Sequence, residues 1–221
     1  MNNPDDNSND SNNSCPNFCE IRGTGPNQRV VGFGGTLSYL HSKAKEFLLK
    51  GDSLVAAQIL LTIEHHSPYN AGLVQDLTTA LLDIGASRSA MEKASRLTQL
   101  CPDLAGAWAL LGMAHALLGE RKNALEALDI ALAAEMPENT SICVTLLLAI
   151  LLDEYRPELE GLGKKAVAMN PDYQMGWMVL GRIQLANGKQ ADAKVSLERA
   201  VKIKPDSLSG REASRIHAEL R

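Results

Sequence analysis

The side chains best suited to chemistry in this sequence are its cysteines and histidines, and their spacing predicts no catalytic or metal site. Cys15 and Cys19 form a C-x3-C pair, but no second pair of cysteines or histidines lies near them to complete the four ligands of a structural zinc site. Cys101 and Cys143 lie in apolar stretches, where a thiol serves as a small packing residue. We therefore expect no metal and no cofactor.

The histidines and the glycine-rich string also lack the partners that catalysis needs. His65 and His66 precede Pro68, and the neighbouring Glu64 would point in a different direction on a helix. Histidines at a helix C-terminus are instead favoured by the helix dipole. The Gly-Phe-Gly-Gly string at 32–35 has no following Gly-Lys-Ser or Gly-Lys-Thr, so it does not match a phosphate-binding loop. These patterns predict a protein that is not an enzyme.

The composition favours a helical protein and excludes several classes of partner. Of the 221 residues, 45% are apolar but only 4% are aromatic, and Ala and Leu, both strong helix formers, dominate. The formal net charge is −4, and Lys and Arg do not cluster, which argues against nucleic acid. The first ten residues do not resemble a secretory signal, and the longest apolar run, 142–152, is about half of a membrane span. We expect a cytoplasmic protein without membrane insertion.

The first 36 residues differ from the rest of the chain. Residues 1–14 are almost entirely Asn, Asp and Ser, too polar to offset the entropy lost on ordering. The stretch that follows is rich in glycine and shows no helical periodicity, with a short apolar patch at Val30, Val31 and Phe33. We expect residues 1–36 to form a disordered polar tail and a Gly-rich linker.

After Thr36, three residue types recur on one period. Prolines lie at 68, 102, 137, 171 and 205, at intervals of 34 or 35. Glycines at 51, 85 and 119 are 34 apart, and Gly188 follows Gly119 by 69 residues, two periods and one residue. Trp108 and Trp177 are also 69 apart. A glycine permits the turn after a first helix, and a proline ends the second. The pattern predicts five helix-turn-helix units, with one residue inserted at Asn139 and a capping helix at 208–221. The units are 37–70, 71–104, 105–138, 140–173 and 174–207.

The fifth unit resembles the tetratricopeptide repeat (TPR), whose pattern has Trp, Leu-Gly and Tyr on the first helix and Ala, Phe and Pro on the second. It carries Trp177, Leu180, Gly181, Gln184, Gly188, Ala193, Leu197, Ala200 and Pro205. The third unit is similar, with Trp108, Gly112 and Gly119 in place. The fourth departs from the pattern, with Glu154 where the turn glycine is expected and Pro157 near the start of its second helix. The resemblance implies an all-α, right-handed solenoid of about five units.

The resemblance also implies a binding face. In this family the first helices of successive units line a concave surface, at the second, fifth, ninth, twelfth and thirteenth positions of each unit. These positions are mixed and polar in units one and two but strongly apolar in units three to five, with a single charge at Arg182. The candidate partner-binding residues are Ala109, Met113, Leu117, Val144, Leu148, Leu151, Met175, Met178, Arg182 and Leu185.

Two explanations of this apolar stripe stay open. An exposed apolar patch marks an interaction site, and flexible Met side chains adapt to varied partners. In that case, replacing Leu148 and Met178 with Glu abolishes binding without unfolding, because neither position belongs to the consensus core. Alternatively, the stripe is core, or it is covered by the N-terminal segment or by a second copy of the chain in a homo-oligomer.

The main hypothesis is a non-catalytic scaffold or adaptor that holds an apolar or amphipathic segment of a partner protein. A second is a dedicated chaperone of a secretion-system or other assembly subunit, resembling the TPR chaperones of bacterial secretion systems. A third is a regulatory domain, or an enzyme, that uses the repeats as a frame. The clamp with which some family members bind the C-terminal carboxylate of heat-shock chaperones is absent, since its positions hold His41, Lys45, Gly106 and Leu110.

Overall fold

The computed structural model describes residues 18–23, 29–134, 136, 139–156 and 158–220. Within these residues the chain forms a two-stranded hairpin followed by eleven helices. The strands are β1 (Phe18–Arg22) and β2 (Arg29–Gly34). The helices are α1 (Leu37–Lys50), α2 (Ser53–Glu64), α3 (Ala71–Asp83), α4 (Ser87–Leu100), α5 (Ala105–Leu117), α6 (Arg121–Ala133), α7 (Asn139–Leu151), α8 (Glu158–Met169), α9 (Gln174–Ala186), α10 (Gln190–Ile203) and α11 (Leu208–Glu219).

The helices pack in consecutive pairs, so the predicted all-α solenoid is confirmed. Each odd-numbered helix from α1 to α9 pairs with the even-numbered helix that follows it, and α11 packs on α9 and α10. The odd-numbered helices also lie side by side, α1 on α3, α3 on α5, α5 on α7 and α7 on α9. They form the inner layer of the solenoid, and the even-numbered helices form the outer layer.

The core runs through the whole stack. One cluster of buried side chains fills the units from α1 to α5, and a second fills those from α5 to α11. Met113 on α5 and Val144 on α7 pack against both clusters. Because each unit covers the apolar face of its neighbour, the stability of the units depends on their stacking.

A left-handed residue ends the first helix of every unit. Gly51, Gly85, Gly119 and Gly188 have φ between 75° and 83°. In unit four the residue is Asp153, with φ of 56°. The N–H groups of Asp153 and Glu154 donate to the carbonyls of Ile150 and Ala149, as those of Gly119 and Glu120 donate to Ala116 and His115. The turn position that the sequence pattern assigned to Glu154 is therefore held by Asp153.

The position of this turn shows that the one-residue insertion does not lie at Asn139, as predicted. Helix α7 begins 34 residues after α5, and α9 begins 35 residues after α7. The insertion predicted at Asn139 therefore lies after α7, where six residues, 152–157, separate α7 from α8, whereas three, 118–120, separate α5 from α6. The predicted register of unit four is one residue too late along α7.

The hairpin corrects the prediction of an unstructured segment up to residue 36. Strands β1 and β2 pair antiparallel, with a bulge beside Glu20 and Ile21. Cys19, Ile21 and Val30 pack against the N-terminal core cluster, and the Val30 N–H donates to Gln58 Oε1 on α2 over 2.8 Å. The strands are stabilised because this segment lies against the first unit. This tertiary contact cannot be recognised from the local composition. The prediction for residues 1–17 and 24–28 lies outside the described residues.

Ion pairs recur between the outer helices of neighbouring units. Lys93 Nζ on α4 lies 2.7 Å from Glu64 Oε2 on α2. Lys189 Nζ, just before α10, lies 2.7 Å from Glu160 Oε2 on α8. Both carboxylates are buried, and both pairs join residues 29 apart in sequence. Each pair ties one unit to the next, although the two pairs occupy different positions of the repeat.

Candidate partner-binding groove

The inner layer presents equivalent positions of successive first helices along one groove. With the corrected register, the ninth positions of α5, α7 and α9 are Met113, Leu147 and Arg182. The thirteenth positions are Leu117, Leu151 and Ala186. Helical residues four apart lie on the same face, so the two sets form parallel rows across three units.

The structure removes three of the predicted residues from the accessible surface. Ala109 and Leu148 are fully buried, and Met178 is 5% exposed. Leu148 lies against the neighbouring helix, since a Cβ atom on Gly112 would come within 2.5 Å of Leu148 Cδ2. The premise that Leu148 and Met178 lie outside the core is wrong, since both are buried, and a Glu at either position would place a charge in the core.

Leu148 and Met178 were wrongly predicted to be accessible for different reasons. The groove position assigned to Leu148 belongs to Leu147, because the register of unit four was predicted one residue too late. Met178 occupies the fifth position of α9. The fifth positions of α5 and α7 are Ala109 and Cys143, and both are also buried. The fifth position therefore belongs to the packing between inner helices.

Six apolar residues remain accessible or partly accessible, and we call them the apolar groove. Leu117 is 48% exposed and Leu151 is 44% exposed, at equivalent positions of neighbouring helices. The others are partly buried. The apolar groove consists of Met113, Leu117, Leu147, Leu151, Met175 and Leu185.

Leu147 is the residue of this set that sequence reasoning missed. The signal that locates it is Asp153, which lies 34 residues after Gly119 and 35 before Gly188. Asp tolerates the left-handed conformation better than most residues with a side chain, so it is a credible substitute for the turn glycine. Val144, predicted to line the groove, is partly buried between the two core clusters.

Charge is distributed unevenly along the inner face. At the N-terminal end, His41 Nε2 on α1 lies 2.7 Å from Asp76 Oδ2 on α3, and Lys45 Nζ lies 3.8 Å from the same oxygen. At the other end, Arg182 Nη1 lies 4.0 Å from Glu212 Oε1 on α11. Helix α7, between them, contains no Asp, Glu, Lys or Arg. The middle of the groove is therefore the least polar part.

The pairing of Arg182 alters its predicted role. The Arg215 guanidinium and, more weakly, that of Arg182 hold the pKa of Glu212 below its ordinary value. Arg182 thus already has an acidic neighbour within the chain. An acidic partner residue at this site would compete with Glu212.

The cysteine and histidine side chains of the described residues have the following surroundings. Burial raises the pKa of the Cys143 thiol to about 12, which leaves it unreactive at neutral pH. His115 Nδ1 lies 2.6 Å from Glu120 Oε2, a hydrogen-bonded contact at a helix end. Among the residues that the structure describes, no three of His, Cys, Asp or Glu are placed to hold a metal ion. No described helix has the length and apolar character needed to cross a bilayer.

The sequence profile of the tetratricopeptide repeat matches residues 176–207, which span α9 and α10. Residues 176–207 therefore resemble a tetratricopeptide repeat, and the paired helices form a TPR solenoid. No curated protein matches this TPR chain in sequence. The TPR fold supports a protein–protein interaction scaffold, since stacked repeats create an extended concave surface.

Solved structures resemble this TPR protein in fold. TTC0263, a thermophilic TPR protein of Thermus thermophilus, is 18% identical with a TM-score of 0.66, over 84% of this chain and 98% of its own. The human IFIT1 dimer with m7Gppp-AAAA is 13% identical with a TM-score of 0.65, over 85% of this chain and 48% of its own. MamA from Desulfovibrio magneticus RS-1 is 16% identical, over 76% and 94%, with a TM-score of 0.44. At these identities the likeness to TTC0263 and IFIT1 shows the fold alone.

Proposed function

We propose that this TPR protein is a non-catalytic scaffold that binds an apolar or amphipathic segment of a partner protein along the apolar groove. The observation that carries the proposal is the pair Leu117 and Leu151, which are about half exposed at equivalent positions of α5 and α7. Large apolar side chains that recur on neighbouring helices form a continuous patch, and such patches mark interaction sites.

The groove fits an amphipathic helix. Its rows run along helices whose accessible residues are three or four apart, for example Met113 and Leu117 on α5 and Leu147 and Leu151 on α7. A partner helix with apolar residues at the same spacing would bury these side chains by the helix-in-groove mode. Burial of apolar area contributes roughly 25 cal/mol per Å². The uncharged helix α7 would form the centre of the contact.

Two other occupants fit the groove less well. Nucleic acid needs clustered Lys and Arg, whereas the middle of the groove has none and the chain carries a net charge of −4. The N-terminal segment 1–17 contains one large apolar residue, Met1, so it offers little to cover an apolar surface. A second copy of the chain is an outcome that the experiment below distinguishes.

A dedicated chaperone of an assembly subunit is the second candidate function, and it would bind its client through the same groove. The proposed location of the protein is the cytoplasm.

A synthetic peptide tests the proposal. The probe is a fluorescein-labelled helix of about 18 residues, or five turns, built from Leu, Lys and Glu with leucines three and four apart. We expect the double variant Leu117→Glu with Leu151→Glu to bind it roughly tenfold or more weakly, a loss of about 1.4 kcal/mol, by fluorescence anisotropy. Because both residues are about half exposed, the variant should keep its helical circular dichroism.

Val195→Glu is the matched control. Val195 lies on the outer helix α10 and is 66% exposed, so the control places one such charge on an apolar surface residue outside the groove, for comparison with each single groove variant and with the double variant. Equal peptide affinity in the control and the double variant would overturn the proposal. Sedimentation of the wild type shows whether a second copy fills the groove, since a dimer that the double variant dissociates would identify that occupant. A photo-crosslinker at Leu151, compared with one at Val195, then identifies the partner in cells.

A further inference from the structure

The first turn of the solenoid lies against its last helix. A Cβ atom on Gly51, in the turn between α1 and α2, would lie 3.3 Å from Arg211 Nη2 and 4.0 Å from Leu208 Cβ, both on α11. Residues at opposite ends of the repeat array are therefore neighbours in space. The array curves far enough for its two ends to meet.

This contact is particular to the first turn. Gly85, Gly119 and Gly188 end the first helices of other units in the same left-handed conformation. A Cβ atom on any of these three would have no described atom within 4 Å. The neighbours of Gly51 therefore reflect the closure of the array and not the turn itself.

Both sides of the contact belong to well-organised parts of the fold. The Gly51 N–H donates to the Leu48 carbonyl over 3.0 Å, which closes the C-terminus of α1. On the other side, Arg211 Nη1 donates to the Asp206 carbonyl over 2.6 Å, and this bond holds the guanidinium beside the start of α11. The contact thus joins two ordered elements.

The contact is favourable in charge but small. The C-terminus of α1 carries the partial negative charge of the helix dipole, and the Arg211 guanidinium lies next to it. Leu208, however, remains 50% exposed. Because the units between the two ends pack only on their neighbours, small rotations at successive interfaces add up and can separate the ends at little cost.

We propose that the α1–α2 turn and α11 form a clasp that closes the solenoid around the apolar groove and opens to admit the partner segment. This inference rests on the proposed function, because it concerns access to the same groove. With the clasp closed, a helix reaches the groove only along the axis of the solenoid. With the clasp open, the helix enters from the side.

A disulfide can lock the clasp. In the variant Gly51→Cys with Leu208→Cys, the two Cβ atoms lie 4.0 Å apart, within the range of about 3.5–4.5 Å that disulfides require. Cys15, Cys19 and Cys101 are first replaced by Ser, whereas Cys143 is kept because its buried thiol is unreactive. Mass spectrometry and non-reducing electrophoresis measure the cross-link, and circular dichroism checks the fold.

Gly119→Cys with Leu208→Cys is the matched control. Gly119 has φ of 78° and Gly51 has φ of 83°, so a cysteine meets the same backbone strain at both positions. Only the cysteine at position 51 would face Leu208. We expect extensive cross-linking in the clasp pair and little in the control.

The gating is measured with the amphipathic peptide described above. We expect oxidation of the clasp pair to slow peptide association roughly tenfold or more, and reductant to restore the rate, as for other lids that control access to a site. Leu208→Asp should instead speed association, because it removes the apolar part of the contact.

The outcomes separate the clasp from the proposed function. Cross-linking no greater than in the control, with normal peptide binding, would overturn the clasp alone. Cross-linking with the same association rate in the oxidised and reduced forms would show that the ends meet without controlling access, which overturns the gating. A reduced protein that does not bind the peptide would overturn both the groove and its gate.

Discussion

The indole N–H of Trp108 donates a hydrogen bond to the carbonyl oxygen of Pro102 over 2.7 Å, and Trp177 makes the same bond to Pro171 over 2.8 Å. Each proline lies in the turn that ends one unit, and each tryptophan lies in the first helix of the next. The bond therefore joins neighbouring units. Unit four has Ile142 at this position, which is fully buried and has no side-chain donor.

Trp108→Phe tests the contribution of this bond, since it keeps an aromatic ring but removes the donor. We expect the free energy of unfolding to fall by about 1 kcal/mol, the typical net value of a hydrogen bond. Urea denaturation followed by circular dichroism measures it. Trp177→Phe should cost about as much, because it removes the same bond. No loss in either variant would mean that water replaces the bond at no cost.

The recurrence of Trp, Gly and Pro made the helix pairs predictable from sequence. Each of these residue types has one geometric role at one place in the unit, as the left-handed φ of Gly119 and the hydrogen bond of Trp108 show. Unit four has neither the Trp nor the turn Gly, and there the predicted register of the first helix was wrong by one residue. That shift exchanged Leu148, which is core, for Leu147, which faces the groove.

Two other features could not be predicted because they depend on contacts between distant parts of the chain. The hairpin forms where Ile21 and Val30 meet the apolar face of the first unit, and the Gly-rich sequence gives no local sign of this face. The approach of Gly51 to Leu208 depends on the summed curvature of all the units. A repeat pattern fixes the contact between neighbours but not the shape of the whole array.

Asp153→Gly should stabilise the protein. Asp153 adopts a left-handed φ of 56°, where a Cβ atom is strained and glycine is not. The relief of strain exceeds the extra backbone entropy that glycine gives to the unfolded chain, so we expect a gain of about 0.5–1 kcal/mol. Thermal and urea unfolding measure it.

The reciprocal variant Gly119→Asp is the control for that prediction. It places the same side chain in the equivalent turn, with φ of 78°, and should destabilise the protein by a similar amount. If Asp153→Gly is destabilising instead, the Asp153 carboxylate contributes an interaction that outweighs its backbone strain. The weak 3.5 Å contact with the Tyr155 hydroxyl is the first to examine in that case.

Glu160 should make the stability depend on pH in the acid range. Lys189 Nζ lies 2.7 Å and Lys164 Nζ 2.9 Å from its carboxylate oxygens, and the two ammonium groups lower the pKa of Glu160 from 4.5 to about 2. A lowered folded-state pKa means that this stabilisation is complete above pH 4.5 and is lost as the pH falls toward about 2.

Glu160→Gln removes this titration, so the variant should be less stable than the wild type at pH 7. The difference should shrink as the pH falls below about 4.5, since the other carboxylates titrate alike in both proteins. Urea unfolding at a series of pH values measures it. Glu126→Gln is the control, because Glu126 is exposed and its pair with Lys122 is 3.8 Å long, so its difference should stay near zero at every pH. A constant difference at Glu160 would contradict the shifted pKa.

The N-terminal hairpin should contribute to the stability of the first unit. Deleting residues 1–34 removes Cys19, Ile21 and Val30 from the N-terminal core cluster and exposes the apolar side chains beneath them. We expect a lower melting temperature and more binding of a hydrophobic dye. Deleting only 1–17, whose sequence is almost wholly polar, should leave the melting temperature nearly unchanged.

A pair of substitutions within the hairpin separates packing from a general effect of deletion. Ile21 packs against the core cluster, whereas Val31, at the bulge, is 40% exposed. Ile21→Ser should cost about 1–3 kcal/mol, because it places a hydroxyl in an apolar contact, and Val31→Ser should stay within about 0.5 kcal/mol. Urea unfolding of the two full-length variants gives both values. Equal losses would show that the hairpin does not dock through the face that carries Ile21, and the stabilising role assigned to it would then be wrong.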